Sequence, residues 1–99
     1  MLILCEKRRT AFNSEYFLFF RVERLREDFL AESDELKPWG IVGYEITDEE
    51  YHVFDSYSSE QIATEAFLGL LENMMEGENI VPLESEESVL EKRNRKLFK

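Results

Sequence analysis

The clearest hydrophobic pattern in the chain lies between Ser58 and Gly77. Apolar side chains recur there at a four-then-one spacing, which keeps them on one face of a helix with 3.6 residues per turn. They are Ile62, Ala66, Phe67, Leu70, Leu71, Met74 and Met75. The pattern predicts a long amphipathic helix that needs an apolar surface to cover.

Both ends of this helix are marked in the sequence. With Ser58 as N-cap, Gln61 falls at the third helical position of a capping box, and Tyr57 and Ile62 occupy the two positions of a hydrophobic staple. Helices commonly end with a residue in the left-handed conformation, which glycine adopts readily, and Gly77 stands at that position. The helix is therefore predicted from Ser58 to Met75.

Shorter apolar runs with a period of two predict four strands before this helix. A turn at Asn13 and Ser14 reverses the chain between the first two strands, and the polar stretch 47–50 forms a hairpin between the last two. The predicted strands cover 2–5, 16–23, 39–46 and 51–55. Residues 24–37 show no single pattern, and residues 80–83 read as an apolar connector.

The second of these strands is apolar on both faces. Its alternation places Tyr16, Leu18, Phe20 and Val22 on one face and Phe17 and Phe19 on the other. A strand with two apolar faces is typical of an inner position that is covered at least partly on both sides. One face is expected to meet the helix, and the other needs a second cover.

Three glycines stand inside predicted elements. Gly40 and Gly43 lie in the third strand, where glycine indicates a bulge or a close approach. Gly69 lies inside the long helix, where it costs about 1 kcal/mol relative to alanine. A glycine here indicates either a close approach to another backbone or simple tolerance of the cost, and we expect close packing.

A second, shorter helix is predicted at the C-terminal end. It opens at Ser85-Glu86-Glu87, with acidic residues at its start, and basic residues at 92–96 lie near its end. Both charges interact favourably with the helix dipole. Together these elements predict an α+β fold in a single domain, 1–99. In it, a four-stranded antiparallel meander sheet carries the long helix across one face, with the shorter helix at the C-terminus.

The order of these parts resembles a family of short, functionally uncharacterised proteins from anaerobic Firmicutes. The resemblance is carried by residues 16–23, the run Trp39 to Ile46, the helix from Ser59 to Met75, and Val81-Pro82-Leu83 before an acidic helix start. A histidine expected beside that proline is absent, because Leu83 and Glu84 follow it. The resemblance implies a small bacterial protein of unknown function and supplies no catalytic residues.

Composition narrows the class of protein. A hydrophobic fraction of 43% and an aromatic fraction of 13% indicate a folded chain despite a formal charge of -10. A single cysteine excludes an internal disulfide, and the apolar run that ends at Cys5 is too short for a signal peptide or a membrane span. We expect a cytoplasmic protein that does not act on membranes.

Few residues could carry catalysis. His52 and Cys5 are the only histidine and cysteine, and each falls on a predicted strand, where packing explains it better than a catalytic pair. Acidic side chains around His52 at the hairpin, 48–50 and Asp55, lack the spacing of a calcium loop. We therefore predict no enzyme activity, no cofactor and no metal; the alternative is a small metal-dependent or hydrolytic enzyme.

Charge is distributed unevenly along the chain. No lysine or arginine lies from Pro38 to Glu91, a span that holds 14 of the 22 acidic residues, and all 12 basic residues lie outside it. This pattern is typical either of a solvated, solubilising surface or of a surface that steers a basic partner. The net charge of -10 disfavours direct binding to nucleic acid.

These observations predict a small acidic protein-protein interaction or regulatory module that self-associates as a homodimer or binds a protein partner. Aromatic side chains that a small core leaves exposed are the expected anchors of the interface. The candidates are Phe17, Phe19, Phe29, Trp39, Tyr51 and Phe98. An alternative is an acidic DNA mimic that inhibits a nucleic-acid-binding protein.

Overall fold

The computed structural model describes residues 1–5, 9–26, 37–47 and 51–97. Within them the chain forms six strands, two α-helices and one turn of 3-10 helix at Ser14–Tyr16. The strands are β1 (Leu2–Cys5), β2 (Thr10–Asn13), β3 (Phe17–Arg24), β4 (Trp39–Glu45), β5 (Tyr51–Tyr57) and β6 (Ile80–Leu83). The helices are α1 (Glu60–Met75) and α2 (Glu86–Leu97).

The strands divide into two three-stranded sheets. The α+β class is confirmed, and β3, β4 and β5 form the predicted antiparallel meander, but a single four-stranded sheet is wrong. Strand β1 does not pair with β3; it lies between β2, to which it is antiparallel, and β6, to which it is parallel. We call these the antiparallel sheet and the mixed sheet.

The mixed sheet arises because the segment predicted as a connector, β6, is a strand. Val81 and Leu83 are buried while Ile80 and Pro82 are exposed, which is the alternation of a half-buried strand. Pro82 cannot donate a backbone hydrogen bond, and it is tolerated because β6 is an edge strand. The N-terminal strand is thereby tied to a segment near the other end of the chain.

One hydrophobic core joins both sheets to both helices. Helix α1 contacts β3, β4, β5, β6 and α2, so it covers the antiparallel sheet and also packs against the mixed sheet. The buried members of the core are Ile3, Cys5, Ile41, Phe54, Tyr57, Ile62, Ala63, Ala66, Leu70, Val81, Leu83 and Val89. Helix α1 therefore packs against strands of both sheets and against α2.

The start of α1 lies one residue later than predicted. Ser59 is the N-cap, and its hydroxyl accepts a hydrogen bond from the Ile62 backbone N–H at 3.2 Å. Ser58 instead donates through its N–H and its hydroxyl to the Glu86 carboxylate, at 2.7 and 2.6 Å. Tyr57 ends β5, and its hydroxyl donates to the Glu84 carbonyl at 2.6 Å. The predicted capping box is thus wrong, because Ser58 binds the start of α2 and Ser59 takes the N-cap position. The two staple positions move with the N-cap to Ser58 and Ala63, so the predicted staple is wrong as well.

The other end of α1 is as predicted, but its apolar stripe is narrower. Gly77 adopts the left-handed conformation with φ of +77°. Leu71 and Met75, which the pattern placed on the covered face, are 36% and 88% exposed. The face that α1 buries consists of Ile62, Ala63, Ala66 and Leu70.

A bulge in β3 changes which side chains share a face. The register between β3 and β4 shifts between Phe17 and Phe19. Phe17 consequently joins Phe20 and Val22 against the main core, while Phe19 lies on the opposite face. The prediction that Phe17 shares a face with Phe19 is wrong for this reason. The prediction that Tyr16 and Leu18 share a face with Phe20 is wrong for the same reason.

The strand glycines and the helix glycine differ in their surroundings. A Cβ at Gly40 would lie 2.6 Å from the Leu25 side chain, and one at Gly43 would lie 2.7 Å from the rings of Phe17 and Phe54, so the predicted close approach is confirmed. A Cβ at Gly69 would meet no atom within 4 Å. The predicted close packing of Gly69 is wrong, because this part of α1 faces open space.

We expect Gly69→Ala to raise the free energy of unfolding by up to about 1 kcal/mol, because alanine favours the helix and its methyl group meets nothing. Urea unfolding followed by circular dichroism measures the change. Gly43→Ala is the matched control and should destabilise by about 1–3 kcal/mol, since its methyl group must displace two rings. Destabilisation by Gly69→Ala would contradict the open environment of this residue.

Candidate functional site

A cluster of exposed apolar side chains lies at one end of the β3–β4 hairpin. Tyr16 is 67% exposed, Leu18 59%, Phe19 41% and Ile46 55%. Tyr44 and Arg21 lie beside Phe19 on the face of the antiparallel sheet that is opposite the main core. We call this the outer face. We call these six residues the aromatic surface.

Backbone pairing beyond the ends of the strands positions Tyr16 and Ile46. The Ile46 N–H donates to the Tyr16 carbonyl at 3.0 Å, which extends the β3–β4 ladder past the bulge. Their side chains line a depression of about 240 Å³ together with Glu15, Glu45 and Thr47. The two exposed apolar groups are therefore neighbours on one surface.

Phe19 and Tyr44 form the centre of the aromatic surface. They are cross-strand partners, and their rings stack with centroids 4.8 Å apart and planes 25° apart. The Arg21 guanidinium lies over both rings, 5.6 Å from the Phe19 centroid and 5.3 Å from the Tyr44 centroid. A cation thus covers part of an otherwise apolar stack.

Hydrogen bonds hold Arg21 and Tyr44 in this arrangement. The Tyr44 hydroxyl donates to the Glu23 carboxylate at 2.9 Å, and Arg21 forms an ion pair with the same carboxylate. Arg21 also donates to the Tyr44 hydroxyl at 3.3 Å. The hydrogen bonds that Arg21 donates, above all the one to Glu23, raise the pKa of Arg21. The charged and aromatic groups therefore hold one another in one arrangement.

The outer face continues onto β5 through a third ring. Tyr51 packs edge-on to Tyr44, with centroids 5.6 Å apart, and the Arg26 guanidinium lies 4.7 Å from the Tyr51 centroid. Beneath these rings, Val42 and Val53 form a small buried cluster with Leu25. Each strand of the sheet thus contributes one ring to this face.

The predicted interface residues do not all lie together. Phe19 and Tyr51 lie on the outer face, whereas Phe17 and Trp39 are partly buried against the main core. Phe29 and Phe98 lie outside the described residues. Sequence reasoning missed Tyr16, Leu18 and Ile46 as surface residues, because strict alternation assigns Tyr16 and Leu18 to the face of Phe20.

The candidate catalytic residues are on different sheets. Cys5 is fully buried in the mixed sheet, whereas His52 lies half-buried on β5, with Nε2 2.7 Å from the Glu45 carboxylate. Asp55 is buried and accepts a hydrogen bond from the Ser56 N–H at 2.7 Å. Among the residues that the structure describes, no three His, Cys, Asp or Glu side chains gather as metal ligands would.

The basic residues of α2 fold back onto the acidic span. Arg93 binds both oxygens of the Glu65 carboxylate, at 3.0 and 2.9 Å from Nε, and Lys92 pairs with Glu84. Between them lies a depression of about 540 Å³ with Leu68, Gly69 and Val89 among its lining residues. The charge separation along the sequence is therefore partly cancelled in the fold.

Other acidic residues keep their charge exposed. Within the described part of the chain, Glu60, Glu72, Glu76 and Glu78 make no ion pair. Apolar side chains are also exposed elsewhere, at Leu2 and Ile80 on the mixed sheet and at Leu68, Leu71 and Met75 on α1. None of these is supported by an aromatic stack such as that of Phe19 and Tyr44.

Comparison with known proteins adds no relative. No protein-family model, curated protein or solved structure matches the chain. The resemblance to a family of uncharacterised proteins therefore stays a prediction. Neither α1 nor α2 is long and apolar enough to cross a membrane.

The Glu86 carboxylate should contribute to stability in a pH-dependent way. Burial acts to raise its pKa, but the two hydrogen bonds from Ser58 and the nearby Lys37 outweigh burial and lower it. Because the pKa of Glu86 is lower in the folded protein, its carboxylate stabilises the fold at pH values above the unfolded pKa of about 4.3. This stabilisation is lost as the pH falls through the folded pKa.

We therefore expect Glu86→Gln to be less stable than the wild type at neutral pH, with the difference shrinking as the pH falls below about 4. Urea unfolding at a series of pH values measures it. Glu91→Gln is the control, because the exposed pair of Glu91 with Arg95 is worth at most about 0.5 kcal/mol. An equal loss for Glu86→Gln at every pH would argue against a role for its charge.

Proposed function

We propose that this chain is a small acidic protein-interaction module that self-associates through the aromatic surface. The observation that supports this most is that four exposed apolar side chains lie at the same end of the β3–β4 pair, where the Phe19 ring stacks on Tyr44. They are Tyr16, Leu18, Phe19 and Ile46. Exposed apolar groups that gather in one place, rather than scatter singly, are typical of protein contact sites.

The chemistry of the surface fits a protein contact. Tyrosine and arginine are enriched among the residues that dominate binding energy, and phenylalanine is enriched at interfaces. Glu23 and Tyr44 already fix the Arg21 side chain, so that less conformational entropy is lost when a partner binds. A surface that is rigid before association can bind more tightly than a mobile one of equal area.

A second copy of the chain is the partner that this surface fits best. Arg21 and Glu23 place both signs of charge two residues apart on one strand, beside apolar rings. A surface of this kind can be complementary to itself across a twofold axis, which is the commonest symmetry of soluble oligomers. The net charge of -10 opposes association, so the apolar contact must supply the attraction.

The alternatives have less support. A DNA mimic needs a dense set of free carboxylates, but Glu65, Glu84 and Glu86 are held by Arg93, Lys92 and Ser58. A hydrolase needs a nucleophile and a base in one cleft, but Cys5 and His52 lie on separate sheets. Self-association therefore remains the better proposal.

We expect a light-scattering mass of twice the 11.8 kDa chain mass at high protein concentration, with Phe19→Ser weakening association at least about tenfold. Added salt should leave the dimer intact or tighten it, because apolar contact rather than charge drives it. Met75→Ser is the control, since Met75 is exposed on α1 and lies outside the aromatic surface.

Circular dichroism and urea unfolding must show that Phe19→Ser remains folded. A wild-type protein that is monomeric at every concentration tested would refute the proposal. Equal weakening by Met75→Ser would place the contact elsewhere on the molecule.

A further inference from the structure

Given the proposed self-association, we infer that the second copy docks edge to edge along β3. The two β3 strands run antiparallel about a twofold axis at Val22. Two three-stranded antiparallel sheets then become one six-stranded sheet, and the β3 members of the aromatic surface, Phe19 and Arg21, lie along the seam between the two copies. The inference specifies which edge pairs and in which register.

The first support is the direction of the backbone groups of β3. The Leu25 N–H donates to the Pro38 carbonyl at 2.7 Å, which continues the pairing of Arg24 with Trp39. Because successive residues direct their backbone groups to opposite sides, those of Phe20, Val22 and Arg24 point away from β4. No described strand pairs on that side. Among the described residues, strand β3 therefore has a row of backbone donors and acceptors beside which no strand lies.

The other sheet edges are less suited to pairing. Strand β3 has eight residues, whereas β2 and β6 have four each, and β6 contains Pro82, which lacks a donor. Strand β5, the edge opposite β3, has seven residues, and its pairing with β4 is interrupted in the middle by a register shift between Ile41 and Val42. An edge strand of this length is a template on which a strand of another chain can pair.

Charge selects the register. With the axis at Val22, Arg21 of each copy lies directly opposite Glu23 of the other. The two residues form a non-hydrogen-bonded pair, in which side chains approach each other more closely than in a hydrogen-bonded pair. Moving the axis by one residue places either Arg21 opposite Arg21 or Glu23 opposite Glu23, and like charges directly opposite each other destabilise a sheet. An axis at Phe20 carries the pairing into the bulge between Phe17 and Phe19.

A proline at the axis tests the edge. Val22→Pro removes an N–H that points to the open edge and leaves the β3–β4 hydrogen bonds in place, whereas Val22→Thr keeps that N–H. We expect Val22→Pro to be monomeric at concentrations where Val22→Thr is dimeric, as measured by sedimentation equilibrium. Circular dichroism checks that both variants fold.

A charge exchange tests the register and does not depend on the proline variant. Arg21→Glu and Glu23→Arg each create like-charge pairs in their own homodimers and should weaken association about tenfold or more. An equimolar mixture of the two variants should restore the dimer, because every opposed pair then joins opposite charges.

The outcomes separate this inference from the proposed function. A wild-type dimer that neither Val22→Pro nor the charge variants weaken would overturn docking along β3 and leave self-association through another surface standing. Two monomeric charge variants that fail to associate when mixed would overturn the register. A wild type that is monomeric at all concentrations would overturn both proposals.

Discussion

The burial of one face of α1 against both sheets is the interaction on which the rest of the structure depends. A three-stranded sheet of short strands has little stability unless an apolar face is covered. Ile62, Ala63, Ala66 and Leu70 provide that cover, and the same helix also packs on β6. The position of the helix is fixed in turn by the contacts of Tyr57 and Ser58 with the start of α2.

Local patterns predicted the elements whose partners lie nearby in the sequence. Helix α1 and the β3–β4–β5 meander follow from periodicity and turn residues, and Gly43 signals the close approach of two rings. The mixed sheet could not be predicted in this way. Strands of four residues carry little periodicity, and the pairing of β1 with β6 is set by the core they share rather than by any turn.

The candidate site was predictable only in part, for a reason that lies in one bulge. Phe19 and Tyr51 stand out as aromatic residues of strands, and the structure places both on the outer face. Strict alternation assigns Leu18 to the face of Phe20 and Phe17 to that of Phe19. The register shift at this point reverses both assignments, and no glycine or proline marks it in the sequence.

The parallel pairing of β1 with β6 also has a consequence for how the chain folds. These strands lie near opposite ends of a 99-residue sequence, so their contact closes a loop that spans most of the protein. Contacts between distant segments slow folding, because the chain loses the entropy of closing the loop before the contacts form and stabilise it. During synthesis β1 and β2 precede the antiparallel sheet and α1, and β6 follows only after them. One edge of β1 can thus pair with β2 early, whereas its other edge is paired only late.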